Sequence, residues 1–329
     1  MLPHNILAFI RASFALFRHS SSANPCSSSV LCNRRELLSC ISRRSCNIMA
    51  VPHDTSVRIR DVWRCNAAAE FKLIGNLKQE FSTIVIDTEF PGSLKLDFLC
   101  SEQDSNEDST YRTLKENVNM MKLIQVGITL VDNWGRLPMI EGAYCVWQFN
   151  LCDFDMNNDI FVKASIQVLQ NNGLESRTLG RLLLKHHLVF NPRMHYVCYQ
   201  GDYDFAYVHK AVTGDQQLPS SLAEYTYSKI SMFGRIFDVR CAQLQNFHTS
   251  YGLQKFSDSL GVKRISGTSH QAGSDNLLTA STYQAIKSLS TSFYNRHYSQ
   301  TYSCIGSFHV RCGAMIFVVP KICIQHGNH

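Results

Sequence analysis

The residues of this sequence that are best suited to chemistry are four carboxylates and one histidine in three separate segments. Asp87 and Glu89 end a short apolar run, Thr83-Ile-Val-Ile-Asp-Thr-Glu89, which is rich in β-branched residues and is followed by Phe-Pro-Gly. This pattern predicts a buried strand, and alternation along a strand places Asp87 and Glu89 on the same face. Two like charges at the end of a hydrophobic strand repel each other and resist desolvation. A divalent cation would remove that conflict.

Two further segments carry the remaining groups. Asp204 lies in Gly201-Asp-Tyr-Asp-Phe-Ala-Tyr207, and His270 and Asp275 lie in Ser269-His-Gln-Ala-Gly-Ser-Asp275. Two carboxylates that arrive from other parts of the chain would complete a site for two hard cations, which prefer oxygen ligands.

These segments resemble the DEDD superfamily of metal-dependent 3′→5′ exonucleases, whose histidine subclass has a His-x4-Asp motif like the one from His270 to Asp275. Longer strings narrow the resemblance to the Caf/Pop-type poly(A) deadenylases, the nuclease subunits of the CCR–NOT complex. The strings are Ile86-Asp-Thr-Glu-Phe-Pro-Gly92, Tyr111-Arg-Thr-Leu-Lys-Glu-Asn-Val-Asn119, Lys122-Leu-Ile-Gln-Val-Gly127, Trp147-Gln-Phe-Asn150 and His270-Gln-Ala-Gly-Ser-Asp-Asn-Leu-Leu-Thr279. The resemblance covers roughly residues 53–290.

The resemblance implies a fold, an activity and a role for each residue of the site. The fold is α/β, a ribonuclease H-like mixed sheet with helices on both faces in a single domain. The activity is the Mg²⁺- or Mn²⁺-dependent shortening of mRNA poly(A) tails from the 3′ end, with release of 5′-AMP. By resemblance, Asp87 bridges two divalent cations, Glu89 and Asp275 share the hydrolytic ion, and Asp204 binds the second. His270 takes the proton of the attacking water, since histidine is the side chain that most often serves as a general base.

The resemblance also implies partners and a location. The partners are poly(A) RNA, the CCR–NOT scaffold and a second deadenylase subunit, and the expected location is the nucleus and the cytoplasm. No membrane partner is expected, because no apolar run reaches the roughly 18–20 residues that span a bilayer. Two other functions stay open: a catalytically weak or inactive interaction subunit of the same assembly, and a DEDD nuclease that acts on other RNA or DNA.

Several site residues have a structural alternative. Asp204 could be only a helix N-cap, with Asp202 as the competing ligand, and Asp275 could cap the final helix. Asp238 follows a strand and is expected to order structure.

Three substrate contacts are also predicted. Phe90 is placed to stack on a terminal base, or else belongs to the core. Lys115 and Asn117, on a helix beside the site, could reach phosphate or sugar, or belong to a solvated helix face.

The charge of the chain is concentrated at its amino-terminal end. The chain has a net charge of +6, but residues 1–48 contain six arginines and one acidic residue (Glu36), a net of +5, which leaves +1 for the rest. Charge alone therefore does not identify an RNA-binding core. We predict an N-terminal extension at residues 1–52, an exonuclease domain at 53–290 and a divergent tail at 291–329. The first segment is either unstructured or, from its arginine- and serine-rich composition, a transit peptide for organellar import.

The apolar pattern predicts an amphipathic helix over residues 56–81, ahead of the first strand, and an exposed loop over 97–109. Further strands are predicted at 123–131, 195–199 and 236–239, with another that ends at 147–150. Further helices are predicted at about 110–121, 160–170, 177–187, 204–212, 240–247, 252–260 and 274–289. Strands separated by helices favour a mixed α/β sheet.

Overall fold

The structure is a computed structural model of the chain, and it describes residues 56–94, 96, 106–162, 172–247, 249–289, 310–312 and 315–317. The predicted extension at 1–52 lies outside these residues. So do most of the tail, most of the loop at 97–109 and residues 163–170 of the helix predicted at 160–170.

A seven-stranded mixed sheet forms the centre of the described domain. Its main path runs β1-β5-β3-β2-β6-β7, and β4 pairs with β5 as a side branch. The strand β2 is parallel to β6 and antiparallel to β3, while β1 is parallel to β5. The strands are β1 Val57–Val62, β2 Thr83–Glu89, β3 Gln125–Val131, β4 Met139–Ile140, β5 Ala143–Asn150, β6 His195–Cys198 and β7 Arg235–Asp238; β8 Val310–Cys312 and β9 Met315–Phe317 pair antiparallel with each other.

Helices connect most of the strands. They are α1 Ala67–Leu77, α2 Asn106–Met120, α3 Ser176–Lys185, α4 Asp202–Thr213, α5 Leu222–Phe233, α6 Val239–Ala242, α7 Leu253–Ser259 and α8 Ala272–Leu289, and a π-helical turn at Gln243–Phe247 follows α6. Among the described residues, no helix is both long and apolar enough to cross a bilayer.

The two faces of β2 and β3 pack against different helices. Ile84 and Ile86 of β2 belong to the main hydrophobic core, together with residues of α1, α2 and α4. On the opposite face lies α8, whose Asn276 side chain accepts a hydrogen bond from Thr129 of β3 (2.9 Å). Because side chains alternate along a strand, Asp87 lies on the α8 face. The mixed sheet with helices on both faces is therefore confirmed.

The predicted helix at 56–81 is wrong in its first half. Residues Val57–Val62 form the edge strand β1, which pairs with β5 from Val57 opposite Tyr144 to Val62 opposite Phe149. The helix begins only at Ala67, after Asn66 accepts a hydrogen bond from the backbone N–H of Trp63 (2.7 Å). The apolar residues of this segment match a helical period only by coincidence, and pairing with β5 makes the segment a strand.

Candidate active site

The carboxyl end of β2 brings the first pair of acids to the edge of the sheet. Asp87 pairs with Gly127 across β2 and β3, and Glu89 pairs with Gln125. Both carboxylates are only partly exposed. The predicted strand and the shared face of Asp87 and Glu89 are thus present in the structure.

A glycine opposite Asp87 lets α8 approach closely. A Cβ atom at Gly127 would lie 2.1 Å from the carbonyl oxygen of Ala272, the first residue of α8, so any side chain there would displace the helix. The close packing seats the first turn of α8, which carries Asp275, above β2.

Asp204 reaches the site from the other side of the sheet. It is the third residue of α4 and is 5% exposed, and its Oδ1 accepts a hydrogen bond from the hydroxyl of Thr88 (2.5 Å). The N-cap of α4 is Gly201, so the N-cap interpretation of Asp204 is wrong. Asp202, its competitor, faces Lys229 at 3.9 Å instead.

The loop before α8 holds His270 beside Asp275. The backbone N–H of His270 donates to Asp275 Oδ2 (2.8 Å), and His270 has a φ of 63°, in the left-handed region that few residues other than glycine adopt. Asp275 is the fourth residue of α8 and binds the preceding loop, so it is not the helix cap. Ligand atoms of Glu89, His270 and Asp275 all lie within 4.8 Å of one another.

Arg264 is a site residue that the sequence did not reveal. Its Nη2 donates to Asp275 Oδ1 at 2.6 Å and its Nε donates to Gln254 at 3.0 Å. Its Nη1 donates to Ser274 Oγ at 2.5 Å. Its Nη1 also donates to the carbonyl of Thr268 in the loop before His270 (3.3 Å), so Arg264 ties α7, this loop and α8 together. No spacing rule marks an arginine for this role, so only the structure could identify it.

These groups surround an open cavity of about 640 Å³. It is lined by Asp87, Thr88, Glu89, Phe90, Gly92, Tyr199, Gly252, Leu253, Gln254, Lys255, Arg264, Ser269, His270 and Asp275. Asp204 lies beneath it, joined to Thr88. One face of the cavity is acidic, and its walls include aromatic and aliphatic side chains.

The crowding of carboxylates raises their pKa values. Burial raises the pKa of Asp87 well above its ordinary value, and the neighbouring carboxylates raise it further. Burial, with the charges of Asp275 and Asp204, raises the pKa of Glu89 to about 8. Burial raises the pKa of Asp204 to about 7, against the opposing effect of the Thr88 hydrogen bond.

This donor set fits divalent cations. The site offers carboxylate oxygens from three separate segments and one imidazole, and hard cations such as Mg²⁺ and Mn²⁺ prefer oxygen ligands. Positive charge placed among these groups would offset both their desolvation and their mutual repulsion, the two causes of the raised pKa values. Arg264 supplies only part of that charge, since it contacts Asp275 alone among the four carboxylates.

Asn117 is not a substrate contact, contrary to the expectation from the sequence. Its side chain is fully buried: the amide oxygen accepts from Leu94 N–H (2.6 Å), and the amide nitrogen donates to the carbonyls of Leu94 (3.1 Å) and Thr113 (2.8 Å). It holds the segment after β2 against α2. Lys115 is half-buried on the same helix and is not among the residues that line the cavity.

Phe90 lines the cavity and also packs on aromatic neighbours. Its ring centroid lies 5.1 Å from that of Tyr203 and 5.0 Å from that of Tyr207. Both interpretations of Phe90, core packing and base stacking, fit this position. Asp238 orders structure as expected, because it accepts hydrogen bonds from the backbone N–H groups of Gln200 and Arg240.

No family model matches the chain. Individual proteins do match. The chain is 36% identical over 252 residues to "Probable CCR4-associated factor 1 homolog 7" of Arabidopsis thaliana, covering 71% of this chain and 88% of that one. It is 34% identical over 240 residues to the "Poly(A) ribonuclease pop2" of Schizosaccharomyces pombe, covering 70% and 69%.

Comparison with solved structures gives matches to the same kind of protein. The Mg²⁺- and Mn²⁺-bound form of S. pombe Pop2p matches with a TM-score of 0.64 at 34% identity, over 71% of this chain and 93% of that one. The CAF1 crystallised with the yeast NOT1 MIF4G domain matches with a TM-score of 0.60 at 25% identity, over 71% and 89%. The fold is thus that of a ribonuclease H-like nuclease domain. Within that class, the chain belongs to the family of the CCR4-associated factor 1 and Pop2 ribonucleases.

Proposed function

We propose that this protein is a divalent-metal-dependent 3′→5′ exoribonuclease that shortens the poly(A) tails of mRNA and releases 5′-AMP. The observation that carries the proposal is the convergence of Glu89, His270 and Asp275, with ligand atoms within 4.8 Å of one another, on the face of the sheet that carries Asp87. Membership of the Pop2 family supports poly(A) as the substrate.

Asp87, Glu89, Asp204 and Asp275 hold two cations, Mg²⁺ or Mn²⁺, in this proposal. When bound, such ions polarise the scissile phosphate, acidify a bound water and stabilise the leaving oxygen. Thr88 orients Asp204 through its hydroxyl, and Arg264 and the backbone N–H of His270 hold the two oxygens of Asp275.

His270 is the general base. Its side chain is exposed at the cavity, so it can accept the proton of the attacking water and pass it to solvent. Water attacks the terminal phosphorus, and the bond from that phosphorus to the 3′-oxygen of the preceding nucleotide breaks. The products are 5′-AMP and an RNA that is one nucleotide shorter and ends in a 3′-hydroxyl. Phe90 stacks on the terminal base.

By family membership, the protein assembles with the CCR–NOT scaffold and a second deadenylase subunit and acts in the cytoplasm and nucleus. A fusion of residues 1–60 to a fluorescent reporter tests the location. Import of the reporter into an organelle would overturn it in favour of a transit peptide.

The activity is tested with 5′-labelled RNA that ends in about twenty adenosines. With Mg²⁺ or Mn²⁺, the wild type should produce a ladder that shortens from the 3′ end, and Asp87→Asn should not. Comparison with poly(U) and single-stranded DNA separates a poly(A) enzyme from a general nuclease. If neither metal supports shortening while the protein still binds its scaffold, the inactive-subunit alternative is correct.

A further inference from the structure

The two basic side chains that line the cavity differ in whether they are paired with a carboxylate. Of the described lining residues, Asp87, Glu89 and Asp275 are acidic and Arg264 and Lys255 are basic. Arg264 is committed to Asp275 at 2.6 Å. Lys255 is exposed and has no carboxylate partner within the described part of the chain, so its ammonium group is available to a ligand.

The ammonium group of Lys255 lies against an aromatic ring. Lys255 Nζ lies over the ring of Tyr251, 4.3 Å from its centroid. This cation–π contact is weak at exposed sites, but it reduces the number of rotamers available to a long side chain. The lysine keeps all three of its N–H donors for another acceptor, because the ring face takes none of them as a conventional hydrogen bond.

The backbone of Tyr251 is itself anchored by buried groups. Its carbonyl oxygen accepts hydrogen bonds from the hydroxyl of Tyr199 (2.5 Å), from Gln243 Nε2 (3.1 Å) and from the guanidinium of Arg240. Arg240 is 3% exposed and Gln243 is fully buried. The backbone that carries the ring under Lys255 is therefore held by a buried network that includes Tyr199, one of the residues that line the cavity.

We propose that Lys255 binds a phosphate of the RNA strand other than the scissile one, and that Tyr251 positions it for this contact. The inference rests on the proposed function, since it names a contact to the same substrate. An RNA strand that enters the cavity brings negative phosphates towards three carboxylates. Bound cations offset the resulting repulsion only close to the residues that hold them. An anchored lysine on α7 supplies attraction at another part of the cavity wall, where the rest of the strand passes.

The first test is the salt dependence of the reaction. The plot of log(kcat/KM) against log[salt] has a negative slope, and removal of one phosphate contact from a single strand makes that slope shallower by roughly 0.7. We expect Lys255→Ala to show this change, with KM raised about 3- to 10-fold at low salt, kcat unchanged and Lys255→Arg close to wild type. The matched control is Lys263→Ala, which removes an equal charge from an exposed lysine that does not line the cavity.

The second test is a double-mutant cycle with Tyr251→Leu. If the ring acts by positioning Lys255, the losses from Tyr251→Leu and Lys255→Ala should be less than additive. Additive losses would show that Tyr251 does not act through the lysine and would overturn that half of the proposal.

A binding readout separates this proposal from the proposed function. In an Asp87→Asn background, which does not hydrolyse the substrate, the Kd for fluorescent oligoadenylate should rise upon Lys255→Ala by the same factor as KM. Failure of the wild type to shorten poly(A) refutes the proposed function, whatever this measurement shows. An unchanged Kd and salt slope in Lys255→Ala, or an equal effect of Lys263→Ala, refutes the role of Lys255 alone.

Discussion

The clustered carboxylates should destabilise the metal-free protein, and Glu89→Gln tests this directly. The pKa of Glu89 is about 8 in the folded protein, against an ordinary value of 4.5 that the unfolded chain retains. Between these values the folded state binds more protons than the unfolded state, so the free energy of unfolding falls as pH rises. Replacement of the carboxylate by an amide should therefore stabilise the metal-free protein at high pH and have little effect near the unfolded pKa.

The structure sets the size of this effect. Each pKa unit corresponds to about 1.4 kcal/mol, so a rise from 4.5 to about 8 gives an upper limit of about 5 kcal/mol at pH 8. Glu89 is partly exposed at the cavity, and solvent screening reduces that limit to about 1–2 kcal/mol. For a domain of this size, that corresponds to an increase in Tm of roughly 3–6 °C.

The assay is thermal unfolding in EDTA across a pH series. Glu89→Gln should melt above the wild type near pH 8, and the difference should decline towards pH 4.5. Addition of Mg²⁺ should reverse the order, because ions bound to the folded wild type add stability of about 2.7 kcal/mol at one hundred times Kd. The control is Glu80→Gln, which neutralises an exposed glutamate outside the cavity, in the turn after α1, and should leave Tm unchanged at every pH.

A lower Tm for metal-free Glu89→Gln near pH 8 would refute the reasoning, because it would mean that the carboxylate stabilises the fold. An equal increase in Tm upon addition of Mg²⁺ to both proteins would remove Glu89 from the ligand set.

Three further predictions concern other residues. His270→Ala should slow single-turnover hydrolysis by about 10²–10⁴-fold while Mg²⁺ still raises Tm, since the carboxylates remain, and a rate near that of the wild type would exclude a general-base role. Gly127→Ala should cost about 1–3 kcal/mol in urea unfolding and weaken metal binding, because its Cβ would lie 2.1 Å from the Ala272 carbonyl and push α8 away. An unchanged metal affinity would show that α8 is not held by this approach. Asn117→Ala should cost about 1–3 kcal/mol by leaving the buried backbone groups of Leu94 unpaired. Its KM should stay near that of the wild type, and a raised KM without loss of stability would restore the RNA-contact interpretation.

The sequence predicted features that depend on one short segment better than features that depend on contacts between distant segments. The strand that carries Asp87 and Glu89 was predictable because an apolar β-branched run ends in two acids and Pro-Gly. The first half of the helix predicted at 56–81 failed because β1 is an edge strand whose partner, β5, lies far along the sequence. The helix α5, Leu222–Phe233, was missed altogether, although Ser221 caps it by accepting a hydrogen bond from the backbone N–H of Glu224.

The interpretation of Asn117 failed for a related reason. A polar residue on a helix next to a catalytic strand is equally consistent with a solvated face and with a buried hydrogen-bonding role. Only the position of Leu94, brought back over α2 by the turn after β2, shows that the amide is used inside the protein.

The sequence by itself determined which residues are candidates for the site. Four carboxylates and a histidine lie in short motifs that resemble those of the DEDD exonucleases, and this resemblance implies two-metal hydrolysis. The motifs could be recognised because ligand type and local spacing are properties of short segments. The tertiary structure alone decided how those segments meet: α8 approaches β2 over Gly127, and Asp204 arrives from the opposite face of the sheet. It also decided which residues without a motif serve the site. Arg264 and Lys255 acquire their positions from α7 packed beside α8 and from a buried network around the Tyr251 carbonyl, which are contacts between distant parts of the chain that local sequence does not encode.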